Sequence, residues 1–282
     1  MTTPAEVAAA GQLACLLEVS APKPGNVSPD RHFHDTRYED FLASAVAIGP
    51  ALAQAHTLPL GVAIRRAVED SLRWTRSNTN LGIVLLLAPL ARAALQEGGT
   101  LRDRLSRVLG ETTVADAVEV YAAIRQARPG GLGQSESEDV SGRPTVTLRE
   151  AMGLAAARDA VAREYVTDFG VTFETGVPAL LYARRDGLAW TDAAVETYLA
   201  LLAGSPDTHI ARKLGVAEAE MVSRRAEEVR AAGGTRSPAG KQGLVELDRE
   251  LRDPRNRRNP GSTADLTCAA LFVVILEGGW DR

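Results

Sequence analysis

The chain has 282 residues, of which 45% are hydrophobic, so it can bury the core of one large domain or two small ones. Its formal net charge of −4 argues against the broad basic surface that non-specific nucleic-acid binding requires. Cys15 and Cys268 each lie among apolar neighbours, which indicates reduced core residues of a cytoplasmic protein. The first 20 residues lack a basic segment, so we expect no signal peptide.

Helical periodicity runs through most of the sequence, and alanine, the best helix former, is abundant. Apolar faces recur in three segments: Val7, Ala10, Leu13 and Leu17; Trp190, Ala193, Ala194, Thr197 and Leu201; Leu266, Ala269, Ala270, Val273 and Leu276. The run GIVLLLAPLARAAL is too short to span a bilayer and predicts a core helix. We therefore predict an all-α fold, a single compact domain of roughly ten helices over residues 1–282.

Two segments depart from this helical pattern. RPTVTL is a candidate for one short strand. RPGGLGQSESEDVSGRPTV has no hydrophobic period and predicts a mobile surface loop between two helical halves.

The stretch EVSAPKPGNVSPDRHFHD ends the first helix, because Pro22 and Pro24 lack a backbone donor. Gly25 allows a turn that exposes successive N–H groups, and Lys23 then projects from a stiff backbone. Together with Asn26 and Ser28, Lys23 is a candidate anion clamp. The alternative is an ordinary loop that ends a helix.

The next residues, HFHD, offer possible metal ligands. His32 and His34 would point the same way in an extended segment, but no third zinc ligand is evident nearby. Asp35 is either the N-cap of the following helix or, with Glu39 one turn on, part of a carboxylate pair that holds Mg²⁺ beside phosphates.

Three further segments place small polar residues at the start of a helix: SNTNLG, GSPDTHIARKLG and NPGSTADLTCAALF. Each alone is a capping motif, but three of them favour helix starts that converge on a phosphorylated ligand. The residues concerned are Asn78, Thr79 and Asn80; Asp207, Thr208 and His209; Ser262, Thr263 and Asp265. In addition, FGVTFETGVPALL places Glu174 before a Gly-x-Pro turn.

Taken in order, EVSAPKPGNV, HFHD leading to FLASA, NTNLG, ETGVPAL, PDTHI and NPGSTADLTCAALF resemble the triphosphoribosyl-dephospho-CoA synthase family, from about residue 13 to 278. The resemblance implies an all-α enzyme that joins ATP and 3′-dephospho-CoA and releases adenine. Its product is the prosthetic-group precursor of lyase acyl carrier proteins. Where the family has Asn-Thr-His-Lys-Gly, this chain has Asn-Thr-Asn-Leu-Gly at 78–82. The acceptor is therefore 3′-dephospho-CoA or a related metabolite.

The implied reaction is glycosyl transfer through an oxocarbenium-like transition state, which needs phosphate ligands, a stabilising carboxylate and proton-transfer groups. Lys23, Asn26, Ser28, Asn78, Asn80, Ser262 and Thr263 are assigned to phosphates. Asp35 and Glu39 are assigned to Mg²⁺. Asp207 or Asp265 stabilises the cation, and His209, Glu18 or Glu174 transfers protons.

Two other functions fit the same residues. A Mg²⁺-dependent nucleotide or ADP-ribose-type N-glycosyl hydrolase would use water as the acceptor. A non-catalytic helical nucleotide-binding module would leave the polar turns far apart. In each case we expect small-molecule nucleotide ligands and no nucleic-acid or membrane partner, and a homodimer is left open.

Overall fold

The fold was analysed in a computed structural model that describes residues 2–131, 133 and 137–280. Over these residues the chain is α-helical without a β-strand, and its only β-type pairing is an isolated bridge between Ser28 and Arg31. The all-α prediction is confirmed. The described part contains fifteen α-helices rather than roughly ten. Several have seven residues or fewer, which is too short to show a hydrophobic period.

The chain divides into two compact units. The first comprises Met1–Cys15 and Asp40–Gly170, and the second comprises Leu16–Glu39 and Val171–Arg282. A single domain over residues 1–282 stays a prediction. No helix of the described residues is long and apolar enough to cross a membrane.

The helices up to the unit boundary at Gly170 are α1 (Pro4–Ser20), α2 (Tyr38–Ala47), α3 (Gly49–Ala53), α4 (Leu60–Leu72), α5 (Leu81–Ala94), α6 (Leu101–Gly110), α7 (Val114–Ala127), α8 (Leu148–Ala155) and α9 (Ala160–Val166). After it come a π-helical turn (Thr172–Gly176), α10 (Val177–Arg185), α11 (Trp190–Gly204), α12 (Thr208–Leu214), α13 (Val216–Ala231), a 3₁₀ turn (Gly234–Arg236), α14 (Pro238–Leu251) and α15 (Gly261–Leu276).

Helix α5 is the core of the first unit, as the apolar run predicts, and it continues through Pro89. A proline inside a helix removes the N–H that would donate to the carbonyl four residues earlier, here that of Leu85. The buried hydroxyl of Tyr165 donates to this carbonyl at 2.7 Å. Tyr165 on α9 therefore replaces the hydrogen bond that Pro89 removes.

Asp116 joins the starts of α4 and α7. Its Oδ2 accepts the N–H and the hydroxyl of Thr113 at 2.9 and 2.8 Å, which completes a capping box on α7. Its Oδ1 accepts the N–H of Gly61 in the first turn of α4 at 2.8 Å. A Cβ on Gly61 would lie 2.5 Å from the carbonyl oxygen of Asp116, so the two helices meet at their backbones.

The two segments without a helical pattern, the candidate strand and the glycine-rich loop, have different outcomes. The candidate strand RPTVTL is wrong, because Thr147 caps α8 in a capping box with Glu150 and draws the segment into a helix start. The glycine-rich loop joins α7 and α8, which belong to the same unit rather than to two halves. Residues 132 and 134–136 of this loop lie outside the described residues, so its mobility stays a prediction.

The predicted apolar faces of α11 and α15 are buried except at their ends, where Trp190 and Leu276 are partly covered. On α1 the buried face runs through Val7, Ala10, Ala14 and Glu18, whereas Leu13 and Leu17 are only partly covered. The burial of Glu18, a charged residue, is what shifts this face.

The replacement of the lost hydrogen bond in α5 can be tested by a double-mutant cycle. Tyr165→Phe leaves the Leu85 carbonyl buried without its donor, and we expect it to lower the free energy of unfolding by about 1–3 kcal/mol. Pro89→Ala restores an N–H to the helix, so in that background the cost of Tyr165→Phe falls by about 1 kcal/mol. Urea denaturation measures both. Tyr121→Phe is the control, because the Tyr121 hydroxyl donates to the carbonyl of Glu138 and its loss should cost the same with or without Pro89. An equal cost of Tyr165→Phe in both backgrounds would refute the link between Tyr165 and Pro89.

Candidate active site

The starts of α12 and α15 are held together in the second unit by one carboxylate. Asp207 is the N-cap of α12, and its Oδ1 accepts the N–H groups of His209 and Ile210 at 2.8 and 3.0 Å. Its Oδ2 accepts the N–H and the hydroxyl of Thr263, both at 2.8 Å. The hydroxyls of Thr208 and Ser262 share a further hydrogen bond of 2.9 Å. We call these residues, Asp207, Thr208, Ser262 and Thr263, the α12–α15 clasp.

Asp207 is only 2% exposed. Burial raises its pKa, while the hydrogen bonds from Thr263, Ile210 and His209 oppose that rise. All four partners are donors, three of them backbone N–H groups, and they match the ionised carboxylate. Both carboxylate oxygens of Asp207 therefore accept hydrogen bonds that join α12 to α15. This geometry favours a positioning role for Asp207 over contact with a reacting atom.

His209 follows in the first turn of α12, and its side chain is also buried against other residues of the protein. Its Nδ1 is buried without a hydrogen-bond partner and lies against Gly261, where an added Cβ would come within 2.5 Å of it. Burial, together with the charges of Lys213 and Arg212, lowers the pKa of His209 to about 3, and a hydrogen bond to the backbone of Asn259 opposes this shift. The imidazole is thus neutral at pH 7 and turned towards protein atoms.

The loop after α1 turns Lys23 inward. Lys23 is 1% exposed, and its Nζ lies 3.0 Å from Oε1 of Glu18. The ammonium also donates to the backbone carbonyls of Glu18 and Ala21. The expectation that Lys23 projects from the turn is wrong, because a buried ammonium needs a counter-ion and acceptors, and the end of α1 supplies them. The same ion pair occupies Glu18.

The rest of this loop is fixed by residues far away in sequence. Gly25 has φ +76° and donates its N–H to Asp248 at 2.8 Å. The side chain of Asn26 donates to the hydroxyl of Tyr198 at 3.1 Å, and that hydroxyl donates to the carbonyl of Pro24 at 2.7 Å. Ser28 is buried and pairs through its backbone with Arg31.

Tyr198 connects this loop with the α12–α15 clasp. Burial raises the pKa of its phenol first, and the negative charge of Asp207 raises it further, with smaller contributions from Asp248 and Glu18. The phenol therefore lies within electrostatic reach of both Asp207 and Glu18. The loop around Pro24 thus contacts Tyr198 directly, and the charge of Asp207 acts on the same tyrosine, which the sequence does not single out.

A second group of polar residues lies beside the clasp. Lys213 on α12 donates to the carbonyl of Asn256 at 3.5 Å, and the side chain of Asn256 lies 3.0 Å from Nδ1 of His34. The pKa of Lys213 is lowered first by burial and then by Arg212, while the carboxylates of Asp253, Asp207 and Asp35 act to raise it. Lys213 therefore joins the chain around residue 35, the clasp and the turn after α14.

The predicted metal ligands are arranged differently from expectation. Helix α2 begins at Tyr38, so Asp35 precedes the helix and does not share a face with Glu39. Instead, His32 accepts the N–H of Tyr38 at 3.1 Å through its Nδ1. Because His32 and His34 bind different partners, they do not form a metal pair. Among the residues described, no group of three or more His, Cys, Asp or Glu side chains is placed to hold a metal ion.

Asn78 and Asn80 belong to the first unit and act as structural residues of α5. Asn78 accepts the N–H of Leu81, the first residue of α5, at 3.0 Å, while Asn80 holds the N-cap position without a side-chain cap bond. Asn80 donates to the hydroxyl of Ser71 at 3.0 Å, and Thr79 shares a hydrogen bond with Ser44. The capping alternative is therefore what the geometry shows, and binding of phosphate by these residues stays a prediction.

Two carboxylates of the second unit are less enclosed. Glu174 is exposed and lies in the π-helical turn, an irregularity that is frequent at functional sites. Asp265 is the fifth residue of α15 and is partly exposed. The turn and α15 pack closely, since a Cβ on Gly176 would lie 2.9 Å from that of Ala270.

Comparison with known proteins decides the family. The family model described as CitG, ATP:dephospho-CoA triphosphoribosyl transferase, matches residues 4–282. The chain belongs to this family. A crystal structure assigned as a triphosphoribosyl-dephospho-CoA synthase of Archaeoglobus fulgidus is similar with a TM-score of 0.65 and 28% identity, over 84% of this chain and 99% of that chain. The family resemblance seen in the sequence is thereby confirmed.

Curated relatives described as 2-(5''-triphosphoribosyl)-3'-dephosphocoenzyme-A synthases agree with this. One from Pectobacterium atrosepticum is 29% identical over 84% of this chain and 69% of its own length. One from Stutzerimonas stutzeri is 27% identical over 90% and 85%. One from Pseudomonas aeruginosa strain UCBPP-PA14 is 30% identical over 72% of this chain, and the match spans 62% of that relative.

The clasp predicts a large effect of a small substitution. Asp207→Asn keeps the shape of the side chain but replaces one oxygen with an NH₂ group, which cannot accept from an N–H. We expect the free energy of unfolding to fall by about 3 kcal/mol, since two hydrogen bonds to a buried carboxylate are lost. Asp30→Asn, an exposed control in the same unit, is expected to be neutral. Equal melting temperatures of the two variants would show that the clasp contributes little.

His209 predicts a dependence of stability on pH. Its folded pKa is near 3 against an ordinary 6.5, so the unfolded state takes up a proton that the folded state does not, and stability is lost as the pH falls below about 6.5. Between about pH 7 and about pH 5, the wild type should lose about 2 kcal/mol more of its unfolding free energy than His209→Gln. Parallel pH profiles, or a His209 ring signal in NMR that titrates near 6.5, would contradict the neutral buried imidazole.

Proposed function

We propose that this protein transfers the triphosphoribosyl group of ATP to 3′-dephospho-CoA or a related acceptor and releases adenine. Membership of the triphosphoribosyl transferase family supports the reaction class. The observation that carries the proposal within the chain is the α12–α15 clasp, which brings the PDTHI and NPGSTADL motifs of the sequence together around Asp207. A scaffold that uses these segments only as separate helix caps has no need for this contact.

In the proposed reaction, the bond between the anomeric carbon of the ribose and adenine breaks, and a bond from an acceptor hydroxyl oxygen to that carbon forms. The hydroxyl loses its proton, and the departing adenine gains one. The transition state carries positive charge on the ribose, so a nearby carboxylate lowers its energy. We assign this role to Asp265, because it is partly exposed in the first turns of α15, whereas Asp207 is only 2% exposed.

Proton transfer is assigned to Glu174, which is exposed on the π-helical turn. Glu18 and His209 are less suited to this role, since the carboxylate of Glu18 is paired with Lys23 and Nδ1 of His209 is buried against Gly261. We propose that Lys23, Asn26, Ser28, Ser262 and Thr263 are positioning residues, which fix the loop after α1 and the clasp while other groups contact the phosphates.

The carboxylates of Asp35 and Glu39 fit Mg²⁺ only together with a substrate. Mg²⁺ is usually held by one or two carboxylates plus substrate phosphates rather than by an all-protein cage. The side chain of Asp35 is 56% exposed and lies within electrostatic reach of Lys213, so it can face a phosphate chain. When bound there, the metal would neutralise part of the charge of the triphosphate, and Asp35 would orient it.

Product analysis tests the reaction. Incubation with ATP, Mg²⁺ and 3′-dephospho-CoA is expected to yield adenine and an adduct that carries the triphosphoribosyl group, both measurable by mass spectrometry. Asp265→Asn should lower the rate by about 10²–10³-fold, because a preorganised charge at the transition state is lost, while Asp30→Asn should not change it. The melting temperature of Asp265→Asn confirms that the variant is folded.

The same assay separates the alternatives. Rapid adenine release from ATP without any acceptor would favour a hydrolase over a transferase. Unchanged adenine release in Asp265→Asn would overturn the carboxylate assignment. If no candidate acceptor yields an adduct and ATP stays intact, the proposed function fails.

A further inference from the structure

The segment that follows α14 is a compact turn of four arginines built around one carboxylate. Asp253 accepts the backbone N–H groups of Arg255, Arg257 and Arg258 at 2.9, 2.6 and 3.0 Å. Although burial acts to raise its pKa, these N–H groups hold the pKa of Asp253 below its ordinary value. We call Asp253–Arg258, with Arg252 before it, the arginine turn.

The arginines of this turn differ in their partners. Arg252 is paired with Asp248 at 2.8 Å and donates to the carbonyl of Asn26. Arg258 is paired with Glu218 at 2.6 Å, and Arg257 lies 3.4 Å from Asp253. Arg255 is exposed. The fold therefore anchors two arginines and leaves Arg255 facing solvent.

Lys213 lies beside this turn. Its ammonium is near the carbonyl of Asn256 at 3.5 Å, the outer limit of a hydrogen bond, and its side chain is partly exposed. Asn256 has φ +51°, a left-handed conformation that a non-glycine residue adopts at a cost, and it contacts His34 at 3.0 Å. Through Asn256 the turn therefore contacts both Lys213 on α12 and His34, the residue before Asp35, and the neighbouring Arg255 is exposed.

We infer that the arginine turn and Lys213 form the cradle for the triphosphate chain of the nucleotide, with Lys213 and Arg255 as its direct ligands and Asp253 as the residue that positions the turn. The inference rests on the proposed function and deepens it. A triphosphate is multiply charged, and two cations of different reach, one a compact ammonium and one a planar guanidinium, suit adjacent phosphates. Asp35, next to the His34 that contacts Asn256, would face a metal bound to the same phosphates.

Binding measured apart from catalysis tests the cradle. Inorganic tripolyphosphate, titrated calorimetrically into the full chain, is expected to bind the wild type. Lys213→Met and Arg255→Met should each weaken binding by about tenfold, through loss of one charge-assisted contact. Lys241→Met and Arg185→Met remove exposed cations of the same unit elsewhere and should bind like the wild type.

Asp253→Asn tests the positioning role. It keeps every cation but weakens the acceptor of three N–H groups, so the turn loses its fixed conformation. We expect the KM for ATP to rise about tenfold with kcat nearly unchanged, since uniform binding is lost and no reacting atom is touched. A purely structural role would instead lower the melting temperature and leave the KM for ATP unchanged in the folded fraction.

The outcomes separate this inference from the proposed function. Absence of tripolyphosphate binding by the wild type, or wild-type affinity in both Lys213→Met and Arg255→Met, would overturn the cradle even if transfer to dephospho-CoA is observed. Weakened binding in these two variants without any transfer by the wild type would keep the cradle and end the transferase proposal.

Discussion

Each unit depends on one buried aspartate whose two carboxylate oxygens accept hydrogen bonds from the starts of two helices. In the second unit, Asp207 caps α12 with one oxygen and holds Thr263 of α15 with the other. In the first unit, Asp116 completes the cap of α7 and accepts the N–H of Gly61 on α4. The first N–H groups of a helix have no partner within it, so one buried carboxylate that satisfies two such ends fixes both the position and the angle of approach of the helices.

This arrangement separates the residues that build the site from those that face a ligand. Many side chains of the polar motifs bind other residues of the fold. Lys23 is paired with Glu18, and Asn26 and Thr263 donate hydrogen bonds to Tyr198 and Asp207. Lys213, at the end of the GSPDTHIARKLG motif, stays partly exposed, and Arg255, outside these motifs, is exposed. Preorganised electrostatic catalysis requires supporting groups that are already fixed by hydrogen bonds, because such groups need not move during the reaction.

The sequence predicted those features of the fold that arise from residues close together in the chain. Periodicity predicted the all-α class and the core helix α5, and capping patterns predicted the start of α5 after Asn80 and the start of α12 after Asp207. The inward turn of Lys23 escaped prediction because periodicity does not show that a glutamate at the end of α1 is buried. Tyr198, Asp248 and Asp253 were missed for another reason. Tyr198 and Asp248 act on the loop after α1 across 172 and 223 residues of chain, and Asp253 lies in an arginine-rich stretch that looks like a solvated helix end.

The two aspartate contacts also bear on the order in which the chain assembles. The bonds from Asp116 to Gly61 and from Asp207 to Thr263 close chain segments of 55 and 56 residues, whereas the threonine caps of α6, α7 and α8 close only three. Loop-closure entropy makes the short contacts accessible early and the long ones late. We therefore expect the capped helices of each unit to form first, and the packing between helices to become fixed only when the aspartate makes its long-range hydrogen bond. A nascent chain that ends before Thr263 would contain the PDTHI segment but not the Thr263 donors that bind Asp207.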